Sequence, residues 1–338
     1  MITRKGRYSF IFSDKPQILG YAAVAGPKES EGPLGKKIDK IYYDPKAGLE
    51  TWEEAESQLQ KEALSIALSK SKLTGEDIDF VFSGDLLNQC ISSSFGLKAY
   101  SIPYLGQYGA CSTMAQTLIM GAIAHASGAA RLCACVTSSH FCSAERQYRF
   151  PLEYGGQRTP TAQWTVTGSG CCILGTKKGN HPRICGATVG RITDLGITDA
   201  NNMGAAMAPA AASTILDFFA DTGTSPQDFD RIYTGDLGFV GSKLLYDLTE
   251  KAGLNIRDKH KDCGLLIYDR EVQDVHAGGS GCGCAASVLC SHILPNLEKG
   301  KLKNVLFIAT GALMSPTSCQ QGQTIPSIAH LVHISTDK

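Results

Sequence analysis

The sequence predicts an α/β fold made of two pseudo-repeated halves that stack into a five-layer αβαβα sandwich. Predicted strands alternate with predicted helices along the chain, which is typical of a mostly parallel sheet covered by helices. One segment also recurs: residues 79–86 read Asp-Phe-Val-Phe-Ser-Gly-Asp-Leu, and residues 230–237 read Asp-Arg-Ile-Tyr-Thr-Gly-Asp-Leu. A second match joins residues 131–137 to residues 303–310. Two copies of one repeated unit account for both observations.

We therefore place an N-terminal half at residues 1–200 and a C-terminal half at residues 201–338. An excursion at 138–163 interrupts the first half and is rich in arginine and aromatic residues. Because excursions on a rigid scaffold often carry binding residues, we expect this one to reach the functional site.

The elements of the first half follow from apolar spacing and turn residues. Leu59, Ala63, Ile66 and Ala67 recur at helical spacing and predict the first long helix. In order, we expect a helix at 52–69, a strand at 78–83, a helix, a short strand before Cys111, a helix at 112–127, and strands at 132–137 and 166–174.

The second half repeats this order. A glycine-rich turn at 278–281 takes the place of the turn before Cys111. We expect a helix at 210–221, a strand at 229–234, a helix at 243–252, a strand at 264–268, a helix at 285–297, and strands at 305–310 and 325–334.

Composition excludes several function classes. The chain has 338 residues, of which 43% are hydrophobic, so it can bury a large core. Lysine plus arginine equals aspartate plus glutamate at 32 each, which gives no electrostatic case for nucleic-acid binding. We see neither an apolar run of membrane-spanning length nor a secretory signal. We therefore expect synthesis in the cytosol.

Thirteen cysteines are distributed without any Cys-x-x-Cys spacing. Most lie in apolar runs, such as those around Cys133 and Cys172, and these positions are typical of a core filled by small residues. The pattern favours a reducing compartment over a disulfide framework.

Cys111 differs from the others because a turn with Gly109 runs into a helix directly after it. Helix N-terminal amides are partly positive, so we expect them to favour the thiolate of Cys111. The same geometry builds an anion-binding pocket. The local sequence leaves both interpretations open.

The duplicated unit with this cysteine resembles the thiolase superfamily, and longer motifs resemble the stage V sporulation protein AD family within that fold. The resemblance covers nearly the whole chain. Its motifs include Ala-Gly-Pro-Lys-Glu at 25–29, Ser-Gly-Asp-Leu-Leu-Asn-Gln at 83–89, Gly-Ala-Cys-Ser-Thr at 109–113, Glu-Tyr-Gly-Gly-Gln at 153–157, Met-Ala-Pro-Ala-Ala-Ala at 207–212, Ala-Gly-Gly-Ser-Gly-Cys at 277–282 and Ile-Pro-Ser-Ile-Ala-His at 325–330.

The resemblance implies a sporulation protein that binds dipicolinic acid (pyridine-2,6-dicarboxylate) and assists its uptake into the developing spore. It also implies integral membrane proteins of the same operon as partners, and a peripheral position on the spore inner membrane. Thiolase-like scaffolds commonly pair as homodimers, which we keep as an option for this chain. Calcium is a further option because the ligand chelates it.

A condensing enzyme that uses Cys111 is the first alternative. Such enzymes carry histidine with asparagine, or histidine with a second cysteine, beside the nucleophile. The corresponding places here read Gly-Asp-Leu-Gly at 235–238 and Gly-Gly-Ser-Gly-Cys-Gly at 278–283, and His276 is displaced by several residues. We therefore expect no catalytic residues, no cofactor and no dedicated metal site.

A dianionic aromatic ligand needs helix N-termini, backbone amides and cationic side chains. The candidate ligand-binding residues are Cys111, Ser112, Thr113, His140, Arg146, Arg149, Tyr154, Asp85, Asp236 and His330. The two aspartates would repel a dianion, so we expect them to bind turn amides, to pair with arginine or to act through calcium. A second alternative is a scaffold for a membrane channel assembly that binds no ligand.

Overall fold

The computed structural model describes residues 1–148 and 158–337. Its strands are β1 (Ile2–Lys5), β2 (Ser9–Phe12), β3 (Gln17–Ala25), β4 (Lys40–Ile41), β5 (Phe80–Gly84), β6 (Tyr104–Gly106), β7 (Cys133–Ser139), β8 (Trp164–Thr165), β9 (Gly168–Gly175), β10 (Arg183–Thr188), β11 (Arg231–Thr234), β12 (His260–Asp262), β13 (Gly279–Ser280), β14 (Asn304–Ala312) and β15 (Ser327–Ser335). Its α-helices are α1 (Pro27–Ser30), α2 (Trp52–Ser71), α3 (Ile91–Leu97), α4 (Thr113–Ala126), α5 (Phe141–Tyr148), α6 (Met203–Thr222), α7 (Gly238–Lys251), α8 (Cys263–Ile267), α9 (Cys282–Val288), α10 (Leu294–Glu298) and α11 (Pro316–Gln320).

Two five-stranded sheets share one strand order, which confirms the predicted repeat. The first runs β6-β5-β7-β9-β3 and the second runs β12-β11-β14-β15-β10. In each sheet, the first three strands in this order are parallel to one another. The fourth strand is antiparallel to both of its neighbours, so the fifth runs in the same direction as the first three. Between β3 and β10 the sheets touch at one pair, Gln17 with Arg183.

Helices form three layers around the two sheets, as the five-layer prediction requires. The helices α4 and α9 lie between the sheets. The helix α4 contacts strands of both sheets, and α9 contacts strands of the first sheet. The outer face of the first sheet is covered by α2 with α3, and that of the second by α6 with α7.

The middle layer is thin because α9 is built from small, fully buried residues. Its backbone lies against β9: a Cβ on Gly170 would stand 2.5 Å from the carbonyl oxygen of Ala286. Close approach of helix and sheet at this point therefore requires glycine.

The first long helix confirms the predicted apolar stripe. Thr51 and Glu54 form a capping box at its start, and Leu59, Ala63 and Ala67 are buried on its inner face. The helix ends where Lys72 adopts a left-handed conformation.

One predicted element is wrong. Residues 264–268 were expected to form a strand, but the helix α8 occupies this region, and the pairing strand β12 lies just before it. A short apolar run such as Gly-Leu-Leu-Ile fits either structure by pattern alone. The side chain of Asp262 accepts hydrogen bonds from the amides of Leu237 and Gly238, which fixes the end of β12.

Two predicted helices differ in length. The helix expected at 210–221 begins earlier, at Met203, because Asn202 caps it there. Pro209 lies inside this helix. The helix expected at 285–297 begins at Cys282 and contains a π-helical turn, Leu289–Ile293.

The helix α6 is also long and apolar enough to cross a membrane by length and composition, which the sequence analysis did not foresee. It packs on β14 and β15 beneath α7, and 61% of its most apolar window is buried. It is the core helix of the second half.

The chain passes from the first sheet to the second between Gly175, where β9 ends, and Arg183, where β10 of the second sheet begins. The domain division at residue 200 stays a prediction.

All thirteen cysteines are free thiols, and ten of them are buried. The sulfur atoms of Cys172 and Cys290 lie 3.8 Å apart across the middle layer.

Candidate functional site

A cavity of about 320 Å³ opens where the two halves meet, beside Cys111. Its walls combine apolar and aromatic side chains with a few polar groups, as small-molecule sites do. It is lined by Leu86, Tyr108, Ala110, Cys111, Ala144, Glu145, Tyr148, Gln163, Thr165, Ala200, Asn201, Met203, Met207, Ser280, Ala312 and Met314.

The turn before α4 presents Cys111 to this cavity. Ala110 adopts a positive φ of 49°, a conformation that L-residues rarely take. Gly311 on β14 presses against the turn: a Cβ there would stand 2.3 Å from the carbonyl oxygen of Gly109. The second half therefore holds the cysteine turn of the first half in place.

Ser112 and Thr113 brace this turn and do not face the cavity. Both are fully buried, and each hydroxyl donates to a turn carbonyl at 2.6 Å, Ser112 to Gly109 and Thr113 to Ala110. The expected ligand contacts were the backbone amides of this segment. The amide of Ser112 donates to Gly109 at 3.0 Å and that of Thr113 to Ala110 at 3.3 Å, and contact with a ligand stays a prediction.

Asp236 lies buried beneath Cys111 and is saturated with donors. Its carboxylate accepts from the Ser280 hydroxyl at 3.0 Å, from the Gly281 amide at 2.8 Å and from the Thr310 hydroxyl at 2.8 Å. The Cys111 thiol is a fourth donor. Burial raises the pKa of Asp236, whereas these donors lower it. The net shift is upward, because burial is the largest influence and the donors offset only part of it.

This environment corrects the prediction of a thiolate. Burial, the negative charge of Asp236 and the hydrogen bond to Asp236 all raise the pKa of Cys111 well above its ordinary value. The helix terminus was expected to lower that pKa, but a carboxylate in hydrogen-bond contact outweighs a partial charge. Cys111 is a neutral thiol at physiological pH.

No histidine lines the cavity, although all eight histidines of the chain lie in the described residues. His276, the nearest in sequence to the glycine-rich turn, binds the Thr159 carbonyl oxygen at 2.7 Å and Asp274 at 2.8 Å. Besides Asp236, the second half places Ser280 beside Cys111, with its Oγ 4.0 Å from the Cys111 sulfur.

The histidines proposed as ligand contacts have other roles. His140 is buried, bonds to the Pro45 carbonyl oxygen at 2.8 Å and accepts from the Cys142 amide, so it fixes the start of α5. His330 accepts from the Gly190 amide at 3.2 Å. Burial lowers the pKa of His140 and lowers that of His330 to about 4, so both are neutral.

The arginines of the excursion also miss the cavity where the structure describes them. Arg146 pairs with Glu53 on α2 and borders a separate surface pocket. Arg158 pairs with Asp274 at 3.0 Å and lies over the Trp164 ring. Arg149 and Tyr154, the remaining predicted contacts, lie outside the described residues.

Asp85 occupies in the first half the place that Asp236 occupies in the second, yet it turns away from the cavity. Its carboxylate accepts from the amides of Leu87 and Ser93 at 2.9 and 2.8 Å, and from the Ser93 hydroxyl at 2.6 Å. It binds turn amides, which was one of the roles left open for it.

Several cavity residues escaped the sequence analysis. Tyr108 and Tyr148 join their hydroxyls at 2.9 Å, and Tyr148 also donates to the Leu86 carbonyl oxygen at 2.5 Å. Gln163 donates to the backbone of both Asp236 and Gly279, which ties the segment before β8 to the second half. Helical spacing within 141–148 was the available signal, since Ala144 and Tyr148 share one face.

Among the described residues, no group of three or more histidine, cysteine or acidic side chains is placed to hold a metal ion. Both oxygens of Asp236 already accept hydrogen bonds. Glu145 contributes a carboxyl group to the lining of the cavity.

Comparison with known proteins agrees with the fold and the motifs. The family model for "Stage V sporulation protein AD (SpoVAD)" matches residues 6–335. Stage V sporulation protein AD of Bacillus subtilis is 46% identical over 325 residues, which are 96% of this chain and 96% of that protein.

Solved structures resemble the chain in fold alone. A 3-oxoacyl-[acyl-carrier-protein] synthase III from Aquifex aeolicus matches with a TM-score of 0.54 and 13% identity over 95% of this chain and 99% of that one. A variant of OleA from Xanthomonas campestris matches with a TM-score of 0.62 and 11% identity over 96% of this chain and 99% of that one.

Proposed function

The chain belongs to the stage V sporulation protein AD family, and from this premise we propose that it binds dipicolinate in the Cys111 cavity and assists its uptake during sporulation. The observation that carries the proposal is the cavity itself. It has the volume of a small-molecule site and two tyrosine rings beside an apolar wall, which suit a flat aromatic ring.

The charge near the cavity favours the calcium chelate of dipicolinate over the bare dianion. Asp236 lies buried beneath the floor of the cavity, and its negative charge would repel a bare dianion. Calcium neutralises the two carboxylates of dipicolinate and retains free coordination positions. We therefore propose the calcium chelate as the bound form.

Condensing activity is the competing function, because solved structures of the same fold include a condensing enzyme and Cys111 lines the cavity. The protonated thiol and the absence of histidine from the described lining argue against it. Acetyl and malonyl thioesters under single-turnover conditions test this directly. We expect neither carbon–carbon bond formation nor thioester cleavage that depends on Cys111.

A homodimer belongs to the same proposal. The strand β6 forms one edge of the first sheet, and all three of its residues are exposed. Tyr104 and Leu105 on β6, with Ile91 and Phe95 on the neighbouring α3, are exposed large apolar side chains. At the opposite edge, two of the three residues of β12 are buried. An open apolar edge of this kind is suited to pairing with a second copy.

Membrane partners and a peripheral position on the spore inner membrane complete the proposal. They rest on the family membership of the chain. A pull-down with the integral membrane proteins of the same operon tests them, and failure to recover the chain with those proteins would contradict this part.

The ligand proposal is tested by calorimetry with dipicolinate, with and without calcium, against pyridine-2-carboxylate. Cys111→Tyr fills the cavity and is expected to abolish binding, whereas the matched control Cys319→Tyr, outside the cavity, is expected to bind normally. Circular dichroism checks that both variants fold. Equal binding by wild type and both folded variants would place the ligand elsewhere.

Calcium separates the two forms of the ligand. If the chelate binds, adding calcium is expected to strengthen the binding of dipicolinate to the wild type. Weaker binding of dipicolinate by wild type in the presence of calcium would contradict the chelate.

A further inference from the structure

A second cleft, of about 340 Å³, is lined by basic side chains and lies apart from the Cys111 cavity. One wall is the 3₁₀ turn Gly35–Lys37, and the other is the helical segment from the π-helical turn to Lys301. The lining consists of Lys36, Lys37, Ser291, His292, Pro295, Asn296, Lys299 and Lys301.

The fold directs lysines from both walls toward this cleft. Leu34 and Ile38 are buried on either side of the 3₁₀ turn, which leaves Lys36 and Lys37 exposed between two anchored residues. On the other wall, Leu289, Ile293 and Leu297 face the core. The opposite face of that segment therefore carries its polar residues.

The charges in the cleft are unbalanced, although the chain as a whole carries 32 basic and 32 acidic residues. Four lysines line it and no acidic side chain does. In the described ranges, none of the four lysines forms an ion pair. The acidic residue nearest in sequence, Glu298, instead accepts a hydrogen bond from Tyr21 at 2.6 Å.

An independent observation points to ligand binding at the base of this cleft. Ser291 is 2% exposed, and its hydroxyl has no hydrogen-bond partner. Buried hydroxyls are normally paired, and an unpaired one calls for an explanation. Ser291 also lies in the π-helical turn, and such turns occur often at functional sites. Burial lowers the pKa of His292, and the charge of nearby Lys37 lowers it further.

We propose that this lysine cleft binds a phosphate-bearing anion, with the four ammonium groups around its oxygens. Lysine is a compact charge that suits phosphate. The lining holds no phenylalanine, tyrosine or tryptophan, so a flat aromatic dicarboxylate finds no stacking surface there. The phosphate group belongs either to a soluble organic phosphate or to an anionic phospholipid headgroup at a membrane surface. This site is independent of the Cys111 proposal.

Two probes distinguish these sources. Inorganic pyrophosphate is titrated by calorimetry, and vesicles of phosphatidylglycerol with phosphatidylcholine are compared with phosphatidylcholine alone in a sedimentation assay. Binding of pyrophosphate indicates a soluble phosphate, and binding of the anionic vesicles alone indicates a headgroup. Either is expected to weaken as salt concentration rises.

Variants locate the binding. Lys37→Gln with Lys299→Gln removes one lysine from each wall and is expected to weaken binding by about tenfold or more. Ser291→Ala is expected to weaken it by about threefold to tenfold without loss of stability. Lys177→Gln with Lys251→Gln makes the same change in net charge at exposed positions outside the cleft, and is expected to bind as wild type does.

Three results would overturn the proposal. One is that neither probe binds, and another is that the cleft variant and the distant control lose affinity equally. The third is that the cleft variant loses affinity for dipicolinate, since the cleft would then be the carboxylate site. Normal dipicolinate binding by the cleft variant keeps the two sites distinct, so failure here leaves the Cys111 cavity untouched.

Discussion

Cys111 and Ser280 lie with their Sγ and Oγ atoms 4.0 Å apart, and they occupy equivalent positions in the two halves. Each directly precedes the N-cap of its half's central helix: Ser112 precedes α4, and Gly281 precedes α9. The repeat thus brings two equivalent turns face to face, and the cavity forms where they meet. Asp236 joins them, because it accepts from both side chains.

Removal of the charge beneath the cavity is expected to activate the cysteine. In wild type, Asp236 and burial raise the pKa of Cys111, so iodoacetamide should label it slowly at neutral pH. Asp236→Asn removes the negative charge and lowers that pKa, and we expect labelling of Cys111 to accelerate by about tenfold or more. Peptide mapping measures this, with the partly exposed Cys319 as the reference. Faster labelling of Cys111 than of Cys319 in wild type would contradict the geometry.

The buried carboxyl group of Glu56 is expected to make stability fall as pH rises. Burial, with the charge of Asp85, raises the pKa of Glu56 to about 8, whereas the unfolded value is about 4.3. The folded state therefore holds a proton that the unfolded state loses, and the stabilisation is lost between about pH 4.3 and 8.

The slope of this loss approaches about 1.4 kcal/mol per pH unit inside that window. Urea unfolding across the window should show a flatter slope for Glu56→Gln. Glu62→Gln, at a half-buried position of the same helix that pairs with Lys40, should keep the wild-type slope. Identical slopes for wild type and Glu56→Gln would show that Glu56 does not titrate in this range.

Gly311→Ala is expected to disturb the cysteine turn from the opposite half. The new methyl group would collide with the backbone oxygen of Gly109, which cannot rotate away. We expect a loss of about 1–3 kcal/mol in the free energy of unfolding and weaker binding of dipicolinate. Gly75→Ala is the control, because its nearest neighbour is a tyrosine side chain at 3.4 Å. Unchanged stability and binding in Gly311→Ala would show that the contact is not needed.

The open edge of the first sheet is expected to hold two copies together. Leu105→Glu places a charge on β6, where it would be buried on pairing, and should convert a dimer into a monomer. Light scattering after size-exclusion chromatography measures the mass. Leu195→Glu, at an exposed position elsewhere, should leave the dimer intact. A wild-type monomer, or a dimer that tolerates the charge on β6, would refute this interface.

The repeated motif was a sound guide to the fold but not to the roles of its aspartates. Matched segments placed β5 and β11 at equivalent positions, as the two sheets confirm. Asp85 nevertheless binds the turn into α3, whereas Asp236 binds the turn into α9. The difference depends on which residues the chain brings near each carboxylate, and that is set by tertiary packing.

Arg146 lies away from the cavity for a local reason. Proximity in sequence placed Arg146 near the cavity, but α5 turns through about 100° per residue. Ala144 and Tyr148 face the cavity, while Ser143 and Arg146 face the separate pocket beside Glu53. Helical geometry could have separated these faces. The hydrogen bond of Tyr148 to Leu86, by contrast, joins segments that are distant in sequence, so a local sequence pattern cannot predict it.

Because ten thiols lie in the interior, exposure of an unfolded sample to oxygen affects whether the protein can refold. While the chain is folded, they are shielded from oxidants. Unfolding in air exposes them all at once, and random disulfide cross-links between them then trap the unfolded chain. Heating without a reductant should therefore be a one-way event, whereas heating with one permits recovery. The lifetime of the protein outside a reducing environment is set by its rate of unfolding rather than by its equilibrium stability.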